Sequence, residues 1–312
     1  MKNIFKMIFV IILFCCLFSL TGCIYKKSSE KLSIVATNFP CYDFARSIIK
    51  DSKSVNLKML LKPGVESHDF EPTPQDIIDI KNSDIFIYVG GESDEWLEDI
   101  LDDVDKKKTK VIKLLDLVDV SFEEYVEGME EEYDDEKEYD EHVWTSLINT
   151  IKIIDKLKDE IIKIDSSNKI EYEKRASEYI DRLYKIDAEI RDIIDKSKRK
   201  EIIFGDRFPL LYFVKEYGLT YYAAFPGCSS ETEASAKTIS FLIDKVKDDK
   251  IPVVFHIELS SSKIAKTIAN ETGAKVLEFN SAHNISQEDC DDGKTYLDIM
   301  EDNVRALKIA LN

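Results

Sequence analysis

The sequence predicts an α/β protein of two lobes, each a four-stranded, mainly parallel sheet with flanking helices, the two joined by one long rigid helix. Three features predict it. Short apolar, β-branched runs alternate with longer segments of helical spacing; this alternation occurs twice; and residues 169–198 separate the two occurrences without a glycine or proline. At about 1.5 Å per residue that stretch makes a helix of ~45 Å, a stiff connector that limits hinging.

In chain order, strands fall at 33–37, 55–61, 85–89 and 110–114, with helices at 42–50, 74–81 and 94–104 between them. Pro74 stands in the first turn of the second helix, where its missing N–H costs nothing. Helical spacing at 145–157 continues at 159–164 and closes a first lobe over 32–164. Residues 165–198 form the link. The second lobe, 199–312, repeats the scheme with strands at 201–204, 220–224, 253–257 and 275–279 and helices at 209–217, 236–246, 262–272 and 293–311. Within the first lobe lies an acidic loop, 121–141; from 123 to 141 twelve of nineteen residues are acidic, a density that opposes compaction and predicts a mobile, solvated loop.

Residues 1–22 read as a signal peptide. Lys2 and Lys6 precede an apolar run at 7–20 that is too short to span a membrane. The run ends in Leu20-Thr21-Gly22-Cys23, which resembles the bacterial lipobox. That resemblance implies cleavage before Cys23, lipid on its thiol and amino group, a tether over 23–31, and a protein held on the extracytoplasmic face of the cell membrane. Of the six cysteines, Cys41, Cys228 and Cys290 then remain, with no CxxC pair, and read as small buried apolar residues. The formal charge of −18 repels nucleic acid and favours cations at long range.

Four histidines carry the chemical argument. His68, His142 and His283 each follow a predicted strand, at the carboxyl ends where open α/β sheets bind ligands. His256 lies inside a strand and reads as a packed residue. Asp206 and Glu258 close strands of the second lobe, and Glu231 and Glu233 sit in a loop there. Imidazole nitrogens and carboxylate oxygens from two facing lobes make a cage for a divalent cation. His68 stands in "GVESHDFEPTP", where Gly64, Pro72 and Pro74 prevent a regular helix or strand.

The segments "LLKPGVESHDFEPTPQDI", "DIFIYVGG", "DEHVWTSLINT", "FVKEYGL", "PGCSSETEAS", "ELSSSKIAKTIANETGAKVL" and "YLDIMEDNVRAL" together resemble the metal-binding lipoproteins of bacterial ABC importers for zinc or manganese, the cluster A-I or cluster 9 solute-binding proteins. The resemblance covers nearly all of the chain after Cys23. It implies a monomer of two lobes on one long helix, with the ion held in the cleft and handed to an ABC transporter permease. By the same resemblance His68 takes the first ligand position, in the pattern Gly64, His68, Pro72, and His142 the second, before Val143-Trp144. Asp69 and Glu71 could then fix the tautomer of His68. The third position falls at Gly205, which cannot coordinate, so Asp206 beside it is the substitute; the fourth falls near "FNSAHNIS", where His283 is the donor. Glu231, Glu233 and Glu258 are the further carboxylates. Three histidines and one carboxylate favour Zn2+ over Mn2+, with iron a further alternative; the histidine-rich loop common in zinc members is replaced here by the acidic run. No HExxH and no nucleophile motif occurs, so a metallohydrolase with Glu231 or Glu258 as base ranks below a receptor. An adhesion lipoprotein whose metal only staples the lobes is the other alternative.

Overall fold

Alternation of buried and turn-forming segments organises the chain from Leu32 onward. The computed structural model describes residues 31–50, 52–66, 70–129, 138–227 and 234–312. Cys23 and the predicted signal peptide, His68 with Asp69, Cys228, and Glu231 with Glu233 lie outside the described residues.

The first sheet consists of β1 (Leu32–Ala36), β2 (Val55–Met59), β3 (Ile85–Tyr88) and β4 (Lys110–Lys113), all parallel, in the order β2-β1-β3-β4. The second consists of β5 (Glu201–Arg207), β6 (Thr220–Phe225), β7 (Val253–His256) and β8 (Lys275–Glu278), parallel again, in the order β6-β5-β7-β8. In each sheet the chain steps outward from its first strand, then crosses back to the other side. The carboxyl ends of β1 and β3, and of β5 and β7, therefore flank a point where strand order reverses, where ligands bind in open sheets.

Between the strands of the first lobe lie α1 (Phe39–Ile49), α2 (Pro74–Asn82) and α3 (Glu98–Asp102). Helix α1 begins earlier than its apolar pattern suggests, because Asn38 accepts from the Cys41 N–H and Pro40 suits the first turn. The helix expected at 94–104 is replaced by a 3-10 turn, Glu92–Leu97, followed by the single turn of α3. Asp94 folds back instead: its Oδ2 accepts from the Val89 and Gly90 N–H groups, which fixes the exit from β3. The final helix of the sequence also divides, into α9 (Gln287–Asp291) and α10 (Tyr296–Leu311). Gly293 between them takes φ +75°, and a Thr295–Asp298 capping box restarts the helix.

The connector is α4 (Leu147–Ile164), a short 3-10 turn, and α5 (Lys169–Lys196). Helix α5 has 28 residues and buries Tyr172, Ala176, Tyr179, Leu183, Ile186 and Ile190, spaced three or four apart, on one face. The remaining helices are α6 (Leu211–Tyr217), α7 (Ala236–Asp248) and α8 (Lys263–Thr272). One apolar cluster joins Ile34, Ile85 and Ile112 of the first sheet to Phe204, Val253 and Phe255 of the second, so the lobes share a core.

The acidic run does not end in solvent as expected. A bridge between Phe122 and Tyr139 closes the loop's base, and Asp140 and Glu141 beyond it are 2% and 1% exposed. Cys41 is buried, Cys290 is half-buried, and both are free. Among the described residues no helix is long and apolar enough to cross a membrane.

Candidate metal centre

The loop that carries the acidic run inward delivers three consecutive polar side chains, Asp140, Glu141 and His142, to the cleft. Asp140 Oδ1 accepts from the His142 backbone N–H at 2.8 Å and meets Nδ1 of its ring at 3.2 Å. That contact assigns the ring proton to Nδ1 and leaves Nε2 as the lone-pair nitrogen. Nε2 is buried and has no hydrogen-bond partner among the described residues. Burial by itself would lower the His142 pKa, but the Asp140 carboxylate outweighs it and holds the value above normal. A buried, basic nitrogen without a partner is costly unless something electrophilic meets it.

His283 meets it from the second lobe. The two rings stand 5.2 Å apart at 85°, and Trp144 lies edge-on to both, at 5.3 Å from His142 and 5.1 Å from His283. The His283 loop is shaped by Glu258. Its carboxylate accepts from the Ser281 N–H and Oγ, both at 2.6 Å, and from the His283 N–H at 2.9 Å. Ala282 takes a left-handed φ of +59°, steadied by its N–H to Asn280 Oδ1. Trp144 Nε1 donates to Ser281 O at 2.8 Å and ties the two loops across the cleft. Burial pushes the Glu258 pKa up while these donors pull it down; the net direction is up.

The third group is Glu141. Its Oε1 lies 3.7 Å from His283 Nε2, and one donor atom from each of Glu141, His142 and His283 can be chosen so that all lie within 4.8 Å of one another. The 3.7 Å separation matches two ligands on a common cation, each about 2.0–2.2 Å from it. The cavity beside the rings, lined by Val65, Glu66, His142, Arg207, Glu258 and His283 among others, is about 20 Å³. It admits one ion or water and no organic solute.

The sequence-derived candidates divide. His142 and His283 come together. His68 lies outside the described residues, although the segment before it is clasped to the second lobe: Gly64 N–H donates to Ile285 O, Asn284 Nδ2 donates to Lys62 O and Val65 O, and Arg207 pairs with Glu66 at 2.9 Å. Asp206 turns elsewhere. Its oxygens accept from the Arg207 N–H, the Ile257 N–H and Ser260 Oγ, which fastens the end of β5 to the loop after β7. Gly205 beside it has no room for any side chain, since an added Cβ would lie 2.5 Å from the α8 backbone at Ala265. Glu258 is a brace for the His283 loop. Glu231 and Glu233 lie outside the described residues. His256 caps β7 with a contact from Nδ1 to Ile257 O. Glu141 escaped the sequence reading because it is one acid among twelve; the signal available was its position directly before His142.

Two like-wound α/β lobes on a long helix, with imidazoles from both meeting a carboxylate beside an ion-sized cavity, define the class of bilobed metal-binding solute receptors. The family model for the periplasmic component A of the zinc-uptake complex, ZnuA, matches residues 34–310, and the chain belongs to that family. It is 34% identical over 293 residues to the high-affinity zinc uptake system protein ZnuA of Bacillus subtilis (strain 168), covering 91% of this chain and 89% of that protein. It is 30% identical over 297 residues to the zinc-binding lipoprotein AdcA of Streptococcus pneumoniae, covering 94% of this chain but 58% of AdcA, so the chain spans little more than half of that relative. Among solved structures, the metal-dependent lipoprotein YcdH of Bacillus subtilis superposes with TM-score 0.76 at 32% identity, covering 90% of this chain and all of that one. The Zn(II)-bound ZnuA-like domain of Streptococcus pneumoniae AdcA does so with TM-score 0.74 at 29% identity, covering 90% and 99%.

Proposed function

We propose that this protein is the extracytoplasmic receptor of a zinc importer: anchored to the membrane through lipid on Cys23, it captures one zinc ion between its lobes and delivers it to an ABC permease. The observation that carries the reading is the buried Nε2 of His142, which has no hydrogen-bond partner among the described residues and stands near His283 beside a cavity that fits an ion. Nitrogen donors suit zinc better than manganese. The names of the two relatives above, one a zinc uptake system protein and one a zinc-binding lipoprotein, point the same way. His68, which follows the clasped residues 62–66 in sequence, supplies a further nitrogen.

Calorimetric titration of zinc into the metal-stripped protein tests the reading. One tight site is expected, and His142→Ala and His283→Ala should each weaken it by at least about 100-fold, beyond the 10–100-fold typical of losing a group that only supports a ligand. His68→Ala should fall in the same range, and manganese should bind the unaltered protein more weakly than zinc. Full zinc affinity in both the His142 and His283 variants would end the proposal.

A further inference from the structure

We propose that Glu141 is the anionic ligand of the captured ion, taking the role that the sequence assigns to Asp206; this rests on the receptor reading above. Three observations carry it. First, Glu141 is 1% exposed, yet among the described residues its carboxylate receives hydrogen bonds from Ser93 alone, the N–H at 3.0 Å to Oε2 and Oγ at 2.6 Å to Oε1. Each oxygen thus keeps a lone pair, and Oε1 points to His283 Nε2 at 3.7 Å. Second, the two candidate carboxylates of the second lobe among the described residues, Asp206 and Glu258, are committed. Asp206 holds the end of β5 to the loop after β7 through three donors, and Glu258 holds the His283 loop through three more. Drawing either onto an ion would release the backbone it fastens. Third, the chain makes room for Glu141 itself. A Cβ on Gly91 would lie 2.5 Å from both the Cβ and Oε2 of Glu141, so the glycine is the cradle of this carboxylate.

The consequence is an asymmetric site. The first lobe contributes a carboxylate and an imidazole from adjacent residues, and the second lobe, among the described residues, contributes His283 alone. The single negative charge of Glu141 offsets half the charge of the dication, and as the hard oxygen donor it supports manganese more than the imidazoles do. Ser93 is a positioning residue that aims it.

The test is Glu141→Gln in the full chain, which keeps the shape and an acceptor for Ser93. Zinc affinity should fall by at least about 100-fold, beyond the 10- to 100-fold typical of losing a group that only supports a ligand, and manganese affinity by a larger factor, so that selectivity for zinc rises. The visible d–d bands of the cobalt(II)-substituted protein should shift, which a merely structural role would not cause. Asp206→Asn should leave the cobalt spectrum in place. Ser93→Ala, which removes the Oγ hydrogen bond that aims Glu141 and no ligand, should weaken zinc by less than about 100-fold and still shift the cobalt bands; if Glu141→Gln fails to fold, unchanged affinity and bands in Ser93→Ala overturn the inference. Unchanged zinc affinity and an unchanged cobalt spectrum in Glu141→Gln, with tight zinc binding by the unaltered chain, overturn this inference alone. Absence of zinc binding by the unaltered chain overturns the receptor reading with it.

Discussion

Asp94 shows how a single residue near the site loads the fold with a pH-dependent cost. It is buried, and burial is the main force that lifts its pKa from the usual 3.8 to about 7, aided by the charge of Glu141 and opposed by the N–H groups of Val89 and Gly90. A carboxyl whose folded pKa is raised contributes stability that is fully present below about pH 4, the unfolded pKa, and is lost as pH climbs through 7. Both backbone donors bind the same oxygen, Oδ2, so an asparagine can keep them. Asp94→Asn should therefore raise the unfolding free energy from urea titration at pH 8 relative to the unaltered protein, by at most about 4 kcal/mol, with the difference shrinking toward pH 5. A difference that did not change with pH would contradict this account. Residue chemistry was partly legible in the sequence: His142 and His283 follow strand ends, as any donor in an open sheet does. Glu141 rather than Asp206 lies beside the histidines, because the direction each carboxylate takes depends on hydrogen bonds from Ser93, Ile257 and Ser260, residues distant in the chain.

Among the elements, the eight strands were readable from their β-branched runs, and the long α5 from the absence of breakers. Element ends were less readable, since they depend on side chains that compete with the helix for backbone donors. Asp94 turns one expected helix into a 3-10 turn, and Gly293 with the Thr295 cap splits another. Helix α5 holds its place by burial rather than by capping, as Asn168 makes no capping hydrogen bond with its side chain. Leu183 on its inner face is fully buried. Leu183→Ala should cost about 2–5 kcal/mol in denaturant unfolding. It should leave zinc affinity unchanged, because no donor sits on α5; a parallel loss of affinity would mean the connector also shapes the cleft.

At the scale of the whole molecule the lobes are not independent. Their shared core, with Trp144 bonded to Ser281 across the cleft, predicts one cooperative unfolding transition seen alike by fluorescence and circular dichroism, and two separated transitions would refute it. The clasp by which Asn284 grips Lys62 O and Val65 O predicts that Asn284→Ala releases zinc about tenfold faster, as expected for one or two lost hydrogen bonds. Stopped-flow fluorescence of Trp144, which touches both histidine rings, would report it. By itself the sequence determined the two α/β halves, the rod between them and the histidines at strand ends, because apolar periodicity and breaker residues act over a few neighbouring positions. Only the tertiary structure decided which carboxylate meets the histidines and that the tail of an acidic run turns inward. Those outcomes depend on which groups are desolvated together, and desolvation is a property of packing between segments far apart in the chain.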